Sequence, residues 1–371
     1  MTDQYHIADT SQILSPGIVL FKDLVEQNIR QTIEIAGDAK RLRPHCKTHK
    51  MVEVAAMVTN AGVTKQKCAT FAEAEMLVEA GATDIFLAYN PVGPNIARVV
   101  AFRRKYPEIA FSVTADHERP IRELGAACTA AETSVNVLLD IDTDLHRTGI
   151  SMNDEAIKLY GLINQMPGLN VNGLHCYDGH HHQPSAAERS AGVEDLWSRI
   201  SAFRDKLVAA DLPVARIVAG GTPSFPMWAK IGDPILECSP GTCLLQDAGY
   251  GGNYTDLSFT PAALVLTRCI SRPTTNRVTF DLGSKAIASD PPNGHRVVFP
   301  ELPDAVAILQ NEEHLVLETD RADEFQPGDE LLAIPVHICP TTALHKAVTV
   351  IENGEVTESW SVIARDRKLS V

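Results

Sequence analysis

The sequence predicts an α/β protein in which an N-terminal (β/α)8 barrel of the TIM type precedes a C-terminal antiparallel β domain. Three observations predict it. Short apolar runs of strand character alternate with helical patterns until eight strands are reached, and repeated strand-helix units imply a parallel sheet that closes at eight. No Gly-x-Gly-x-x-Gly turn opens the first unit, which ranks a barrel above an open dinucleotide-binding sheet. After about residue 260 the texture changes to short, alternating, Val- and Thr-rich runs, which read as antiparallel strands.

Residues 15–20 read as a strand, and Val25, Ile29, Ile33 and Ala36 then form an apolar stripe at helical spacing that stops at Gly37. A strand from about Leu42 delivers Lys47 at its end. The next covers 63–69, after which Thr70 and Glu73 form a capping box opening a helix that closes at Gly81. Further strands fall at 84–89, 110–114, 135–140, 171–177, 217–220 and 235–238. In the second domain, runs at 277–282, 314–318 and 347–351 are strands, Asn353-Gly354 is a hairpin turn and Pro327-Gly328-Asp329 another turn. The expected division is 1–20, a strand segment joining the C-terminal β domain, 21–259, the barrel, and 260–371, the β domain.

At 371 residues the chain exceeds what one core comfortably fills, so two domains are expected. Charged residues make up 22% and hydrophobic residues 44%, a balance that supports packed cores rather than disorder. A formal charge of -14 argues against a nucleic-acid partner. No apolar run has the length of a membrane span, and the polar start Met1-Thr2-Asp3-Gln4 lacks the regions of a signal peptide, so a cytoplasmic protein is expected. The eight cysteines are scattered, with Cys68, Cys128, Cys176, Cys238 and Cys269 in apolar runs read as strands. They read as buried thiols rather than a disulfide framework.

Barrel enzymes place their chemistry at the C-terminal ends of the strands, where Lys47, Tyr89, His175, Tyr177, Gly220 and Gly221 fall. Lys47 lies in Arg43-Pro44-His45-Cys46-Lys47-Thr48-His49-Lys50, between two imidazoles and near two further basic residues. Neighbouring positive charge favours the neutral amine, the form that attacks a carbonyl. Gly220-Gly221-Thr222-Pro223-Ser224 follows strand seven and Ser239-Pro240-Gly241-Thr242 follows strand eight. Glycine amides and hydroxyls in these places suit a phosphate. His175 and Tyr177 are two apart on strand six and point together into the mouth of the barrel. His180-His181-His182 cannot aim three rings at one ion from extended chain and reads as a solvated loop. In His337-Ile338-Cys339-Pro340, a strand would put imidazole and thiol on one face, a donor pair suited to zinc.

The lysine stretch and both glycine loops resemble the D-threonine aldolase and D-serine dehydratase family, relatives of alanine racemase with the fold type III arrangement for pyridoxal 5'-phosphate (PLP). The resemblance implies that Lys47 carries PLP, with His45, Arg147, His175 and Tyr177 about the cofactor. It implies that Gly220, Gly221, Thr222, Pro240, Gly241 and Thr242 cradle the phosphate, and that His337 and Cys339 hold a divalent metal, zinc or manganese. The implied activity is that of a lyase on D-β-hydroxy-α-amino acids, in a homodimer. The chain departs from the family at Cys243, often aromatic, and at Asp144, commonly Gly. Cysteine as second ligand tilts toward the zinc-dependent dehydratase branch without deciding between cleavage and elimination. Three alternatives stay open: an amino-acid racemase with Tyr250 or Tyr254 as second base, a noncatalytic PLP-binding protein, and a zinc hydrolase without PLP.

Overall fold

Pro44 explains why one place in the barrel holds no regular strand. In this computed structural model, which describes residues 3–371, seven strands run parallel in sequence order: β2 (Lys65–Cys68), β3 (Asp84–Leu87), β4 (Ala110–Ala115), β5 (Val135–Asp140), β6 (Leu169–Cys176), β7 (Ile217–Ala219) and β8 (Leu236–Cys238). They follow β1 (Gly17–Phe21), which belongs elsewhere. The eighth place is filled by residues 42–45. Arg43 and His45 donate their amides to the carbonyls of Cys238 and Pro240, and Lys67 donates its amide to the Pro44 carbonyl. Leu42 and His45 thus form only single bridges, to Cys238 and Lys67. The expected first barrel strand is reduced to this link because Pro44 has no amide to continue a ladder.

The starts of the strands are closed by charge. Arg43 is fully buried; its two terminal nitrogens reach both oxygens of Asp84 at 2.9 Å and its Nε reaches Glu237 at 2.5 Å. Lys65 pairs with Glu237 and Arg216 with Asp84, each at 2.7 Å. Arg43 is therefore committed to this network, whereas the sequence reading placed it simply near Lys47. Above the network lies an apolar layer including Phe86, Leu138 and Val218.

These barrel elements belong to a compact unit of Thr32–Lys47, Ala55–Gly241 and Asp366–Val371; the other unit comprises the segment up to Gln31, Thr48–Val54 and Thr242–Arg365. The second unit is built on β9 (Ala263–Thr274), β10 (Arg277–Phe280), β11 (Val297–Val298), β12 (Val306–Gln310), β13 (Leu315–Glu318), β14 (Glu330–Pro335), β15 (Ala347–Glu352) and β16 (Glu355–Ser361). Their order is β12-β13-β10-β9-β1-β15-β16, with β14 on β9 and β11 on β14. All pairs are antiparallel except β1 with β15, where Val19 faces Thr349 and Phe21 faces Ile351. Tyr5, Val19, Phe21, Leu264, Leu266 and Ile351 pack in its core. Asn353 and Gly354 take positive φ of 52° and 82°, the tight turn expected between β15 and β16.

The helix Phe71–Glu79 starts as its capping box predicts: Thr70 accepts from the Glu73 amide, while the Glu73 carboxylate turns back to the Ala69 amide at 2.6 Å. Cys128 lies in the helix Glu118–Ala130 rather than in a strand, although it is buried as expected. Among the described residues no helix is long and apolar enough to cross a membrane. Met1 and Thr2, part of the polar start, lie outside the described residues.

Candidate functional site in the barrel mouth and a candidate metal centre

Where residues 42–45 end, the chain turns through the 3-10 segment Cys46–Thr48. Lys47 is exposed within a run of buried neighbours, and its amide donates to His45 Nδ1 at 3.3 Å. Its Nζ lies 6.0 Å from the centre of the Tyr177 ring. Arg147, from the loop after β5, brings its guanidinium to 4.7 Å from the same ring. Lys67, from β2, brings a third cation to 5.9 Å. The Tyr177 ring is thus bordered by three basic groups, and glycines make room for it. A Cβ at Gly179 would lie 2.6 Å from the ring and one at Gly221 3.2 Å from it.

His175, on β6, is buried, and its Nδ1 lies 2.7 Å from Asp140. Burial lowers its pKa, with Asp140 opposing, so the ring is neutral near pH 7. With Nδ1–H donated to Asp140, Nε2 is an acceptor that meets no donor among the described residues. His45 is also buried. It lies with Cys46 and Glu73 in a group whose donor atoms are within 4.8 Å of one another. Protein contacts already occupy that group, since Glu73 accepts from Ala69 and faces the Cys46 thiol at 3.8 Å.

The two glycine loops meet, in that the Gly241 amide donates to Thr222 Oγ1 at 3.1 Å. Gly220 has φ of +85°, and a Cβ there would lie 2.7 Å from Trp228, so only glycine fits. Trp228 Nε1 and Ser224 Oγ both donate to Asp178, at 2.7 and 3.0 Å, and the Gly221 amide donates to Ser224 Oγ at 3.2 Å. Pro240 supplies the carbonyl that anchors His45. Thr242 opens the 3-10 segment Thr242–Leu244 of the other unit, where its hydroxyl lies 3.6 Å from Cys339 Sγ.

That other unit contains the candidate metal centre. The strand expected at 337–339 is a helix start: β14 ends at Pro335, His337 is extended, and the helix Ile338–Leu344 carries Cys339 in its first turn. Pro340 is tolerated there because first-turn amides have no helical partner. The Ile338 amide is instead capped by Asp247 Oδ2 at 3.1 Å. That leaves the His337 ring for the site. Asp290 holds His337 Nδ1 at 2.5 Å, which leaves Nε2 as the ring nitrogen available to a ligand. Hydrogen bonds to Cys339 and then Asp290 raise the His337 pKa to about 9. Burial would raise the Cys339 thiol, but His337 and the Thr48 hydroxyl, 3.2 Å away, bring it below its usual range. A thiolate and an imidazole backed by a carboxylate are the donor set of a soft divalent metal.

His49, the second imidazole beside Lys47 in sequence, is fully buried, and burial lowers its pKa to about 3. It is neutral and adds no positive charge. Sequence reasoning missed Lys67, Asp290, Asp247 and Thr48. Lys67 alone left a trace, as a lysine in the middle of an apolar-flanked strand.

The family described as "Alanine racemase, N-terminal domain" matches residues 22–247, and the chain belongs to it. A "Putative serine dehydratase domain" matches residues 262–351. The chain is 28% identical over 361 residues to a D-threonine aldolase from Arthrobacter sp., covering 96% of this chain and 93% of that one. It is 25% identical over 370 residues to D-threo-3-hydroxyaspartate dehydratase from Delftia sp. strain HT23, covering 93% and 96%. The structure superposes on the crystal structure of D-threonine aldolase from Filomicrobium marinum with a TM-score of 0.85 and 26% identity, covering 95% of each chain.

Proposed function

We propose that the protein is a PLP- and divalent-metal-dependent lyase acting on D-β-hydroxy-α-amino acids. Relatives along nearly the whole chain carry names of that class. The observation that carries the reading is the His337–Cys339 pair, because a lysine and two glycine loops alone would serve a racemase or a carrier equally well. Thiolate with imidazole favours zinc.

The residues fit both groups. His175 Nε2 lacks a donor, Gly220 leaves no room for a side chain, and three cations border Tyr177. Lys47 would hold PLP, Gly220, Gly221, Thr222, Pro240, Gly241 and Thr242 would face its phosphate, and Arg147, His175 and Tyr177 would border its ring. PLP, when bound, supplies an electron sink for negative charge at the substrate Cα. His337 and Cys339 would hold the metal, which supplies Lewis acidity for a β-hydroxyl. Lys47 Nζ is the base for an α-proton if the outcome is elimination to a 2-oxo acid and ammonia. In the other outcome the β-hydroxyl loses its proton, and glycine and an aldehyde leave.

The test uses purified protein supplied with PLP and zinc or manganese, compared with Lys47→Ala, His337→Ala and Cys339→Ala. Visible absorbance is expected in all but Lys47→Ala. D-Threonine, D-serine or a 3-hydroxy-D-aspartate should be consumed only when both ligands are present. A protein that gains no visible absorbance from PLP refutes the reading; racemisation that survives both ligand variants replaces it with a racemase.

A further inference from the structure

Lys65 and Lys67 are two apart on β2, so they share the face that looks into the barrel, while Gln66 between them bonds to Ala55 and Thr59 of the neighbouring helix. Their fates differ. Lys65 pairs with Glu237 at 2.7 Å. Lys67, one rung nearer the mouth, is 3% exposed and its Nζ lies 5.9 Å from the centre of the Tyr177 ring, where, among the described residues, the carboxylate pairing of Lys65 is not repeated. It stands level with His45 on one side and Phe86 on the other. Its amine borders the same ring face region as Lys47 and Arg147.

Positive charge there is not balanced. Asp178, the carboxylate that acts on Lys67, already accepts from Ser224 and Trp228. Asp140 is held by His175. An ammonium so nearly buried and set among like charges is poorly solvated, and an anion would stabilise it. Building on the proposed lyase, we propose that Lys67 is an anion-binding residue of the barrel mouth, whose amine receives an anionic oxygen of the ligand held at Lys47. Two sources share that chemistry: the ring oxygen of PLP and a carboxylate of the amino acid.

The titration of Lys67 agrees. Burial, then the charge of Lys47, and then Arg43 and Arg147 against Asp178, bring its pKa from 10.5 to about 7; His45, His175, held by Asp140, and Tyr177 are the other titratable groups near it, and burial lowers the His175 pKa. The empty site therefore carries the charge in acid and loses it as pH rises through 7, while a bound anion holds the proton on.

The experiment compares wild type with Lys67→Met and Lys67→Gln in two arms. The first measures affinity for 4-deoxypyridoxine 5'-phosphate, which keeps the ring oxygen and phosphate but has no aldehyde for Lys47. The second measures D-alanine binding to PLP-loaded protein through the change in visible spectrum. Loss of a charged hydrogen bond should weaken one arm about 10- to 100-fold in Lys67→Met. The wild-type advantage should shrink from pH 6 to pH 9. Weakening in the first arm assigns the cofactor oxygen, in the second the substrate carboxylate. A change below about threefold in both arms overturns the proposal. Should both variants fail to fold, NMR titration of labelled lysine in wild type decides. The Lys67 midpoint must rise on adding 4-deoxypyridoxine 5'-phosphate, or D-alanine to loaded protein, and no rise with either overturns the proposal. Wild type that never takes up PLP refutes the lyase reading instead, which these variants do not test.

Discussion

Replacing Arg43 with methionine keeps much of its volume and removes the centre of the charge network at the strand starts. Asp84 would keep Arg216 and Glu237 would keep Lys65, each at 2.7 Å, but both would lose the buried guanidinium that now makes three hydrogen bonds to them. Removing one partner of a buried ion pair costs ~3–5 kcal/mol. Because two cations remain and the carboxylates are slightly exposed, we expect the lower end, about 3 kcal/mol. With a urea slope near ~3 kcal/mol/M, the midpoint should fall by roughly 1 M. Trp197 and Trp228 both lie in the barrel unit, so tryptophan fluorescence reports its unfolding. Asp84 and Glu237 have folded pKa values below their ordinary 3.8 and 4.5, through Arg43 despite burial. Their stabilisation is complete above those ordinary values and is lost as pH falls through the folded ones, so the variant's deficit should shrink in acid. Adding Asp84→Asn and Glu237→Gln should recover part of the loss by removing the stranded carboxylates. A single-variant shift below about 0.3 M, or a deficit that grows in acid, would refute the reasoning.

Asp290→Asn should weaken zinc binding about 10- to 100-fold without disturbing the fold, measured by calorimetry, since this exposed carboxylate holds His337 from behind; unchanged affinity would remove Asp290 from the metal centre. Gly220→Ala should cost about 1–3 kcal/mol in thermal or urea unfolding, from its left-handed backbone, with the Trp228 contact adding to it. An unchanged midpoint would contradict the geometry. His49 contributes acid sensitivity: its folded pKa of about 3 lies below the unfolded 6.5, so the unfolded state takes the proton first and stability falls as pH drops from 6.5 toward 3. His49→Gln should flatten that part of the pH profile, and an equally steep profile would show that His49 is charged when folded.

Periodicity made the barrel and the antiparallel sheet legible, because apolar runs of the right length survive in any order of packing. The loops at Gly220 and Gly241 were legible because a glycine after a strand leaves few other uses. Pro44 could have warned that the first strand would be a bare link. The destination of Arg43 could not be read, since Asp84 and Glu237 become its neighbours only once the ring closes. The expectation that His337 and Cys339 converge rested on a strand that the structure replaces with a helix start. They meet across a helix start capped by Asp247, a residue 91 positions before Ile338, and not across a strand. Asp290 reaches His337 through a long-range contact with no local signature, whereas Lys67 leaves only the trace of a lysine in an apolar-flanked strand.

Strand β1 sits between β9 and β15, yet those partners lie at the far end of the chain. During synthesis, then, the segment holding Val19 and Phe21 emerges long before anything exists to cover it, while nearly all of the barrel can be made and folded in the interval. The β unit forms only when Thr349 and its neighbours have left the ribosome, with the barrel already strung between its two parts. A nascent chain of this kind spends most of its elongation with one apolar strand unpaired, the state in which wrong pairings between chains begin. Slowing or stopping translation before β9 should thus leave a protein with a sound barrel and a sticky leading strand.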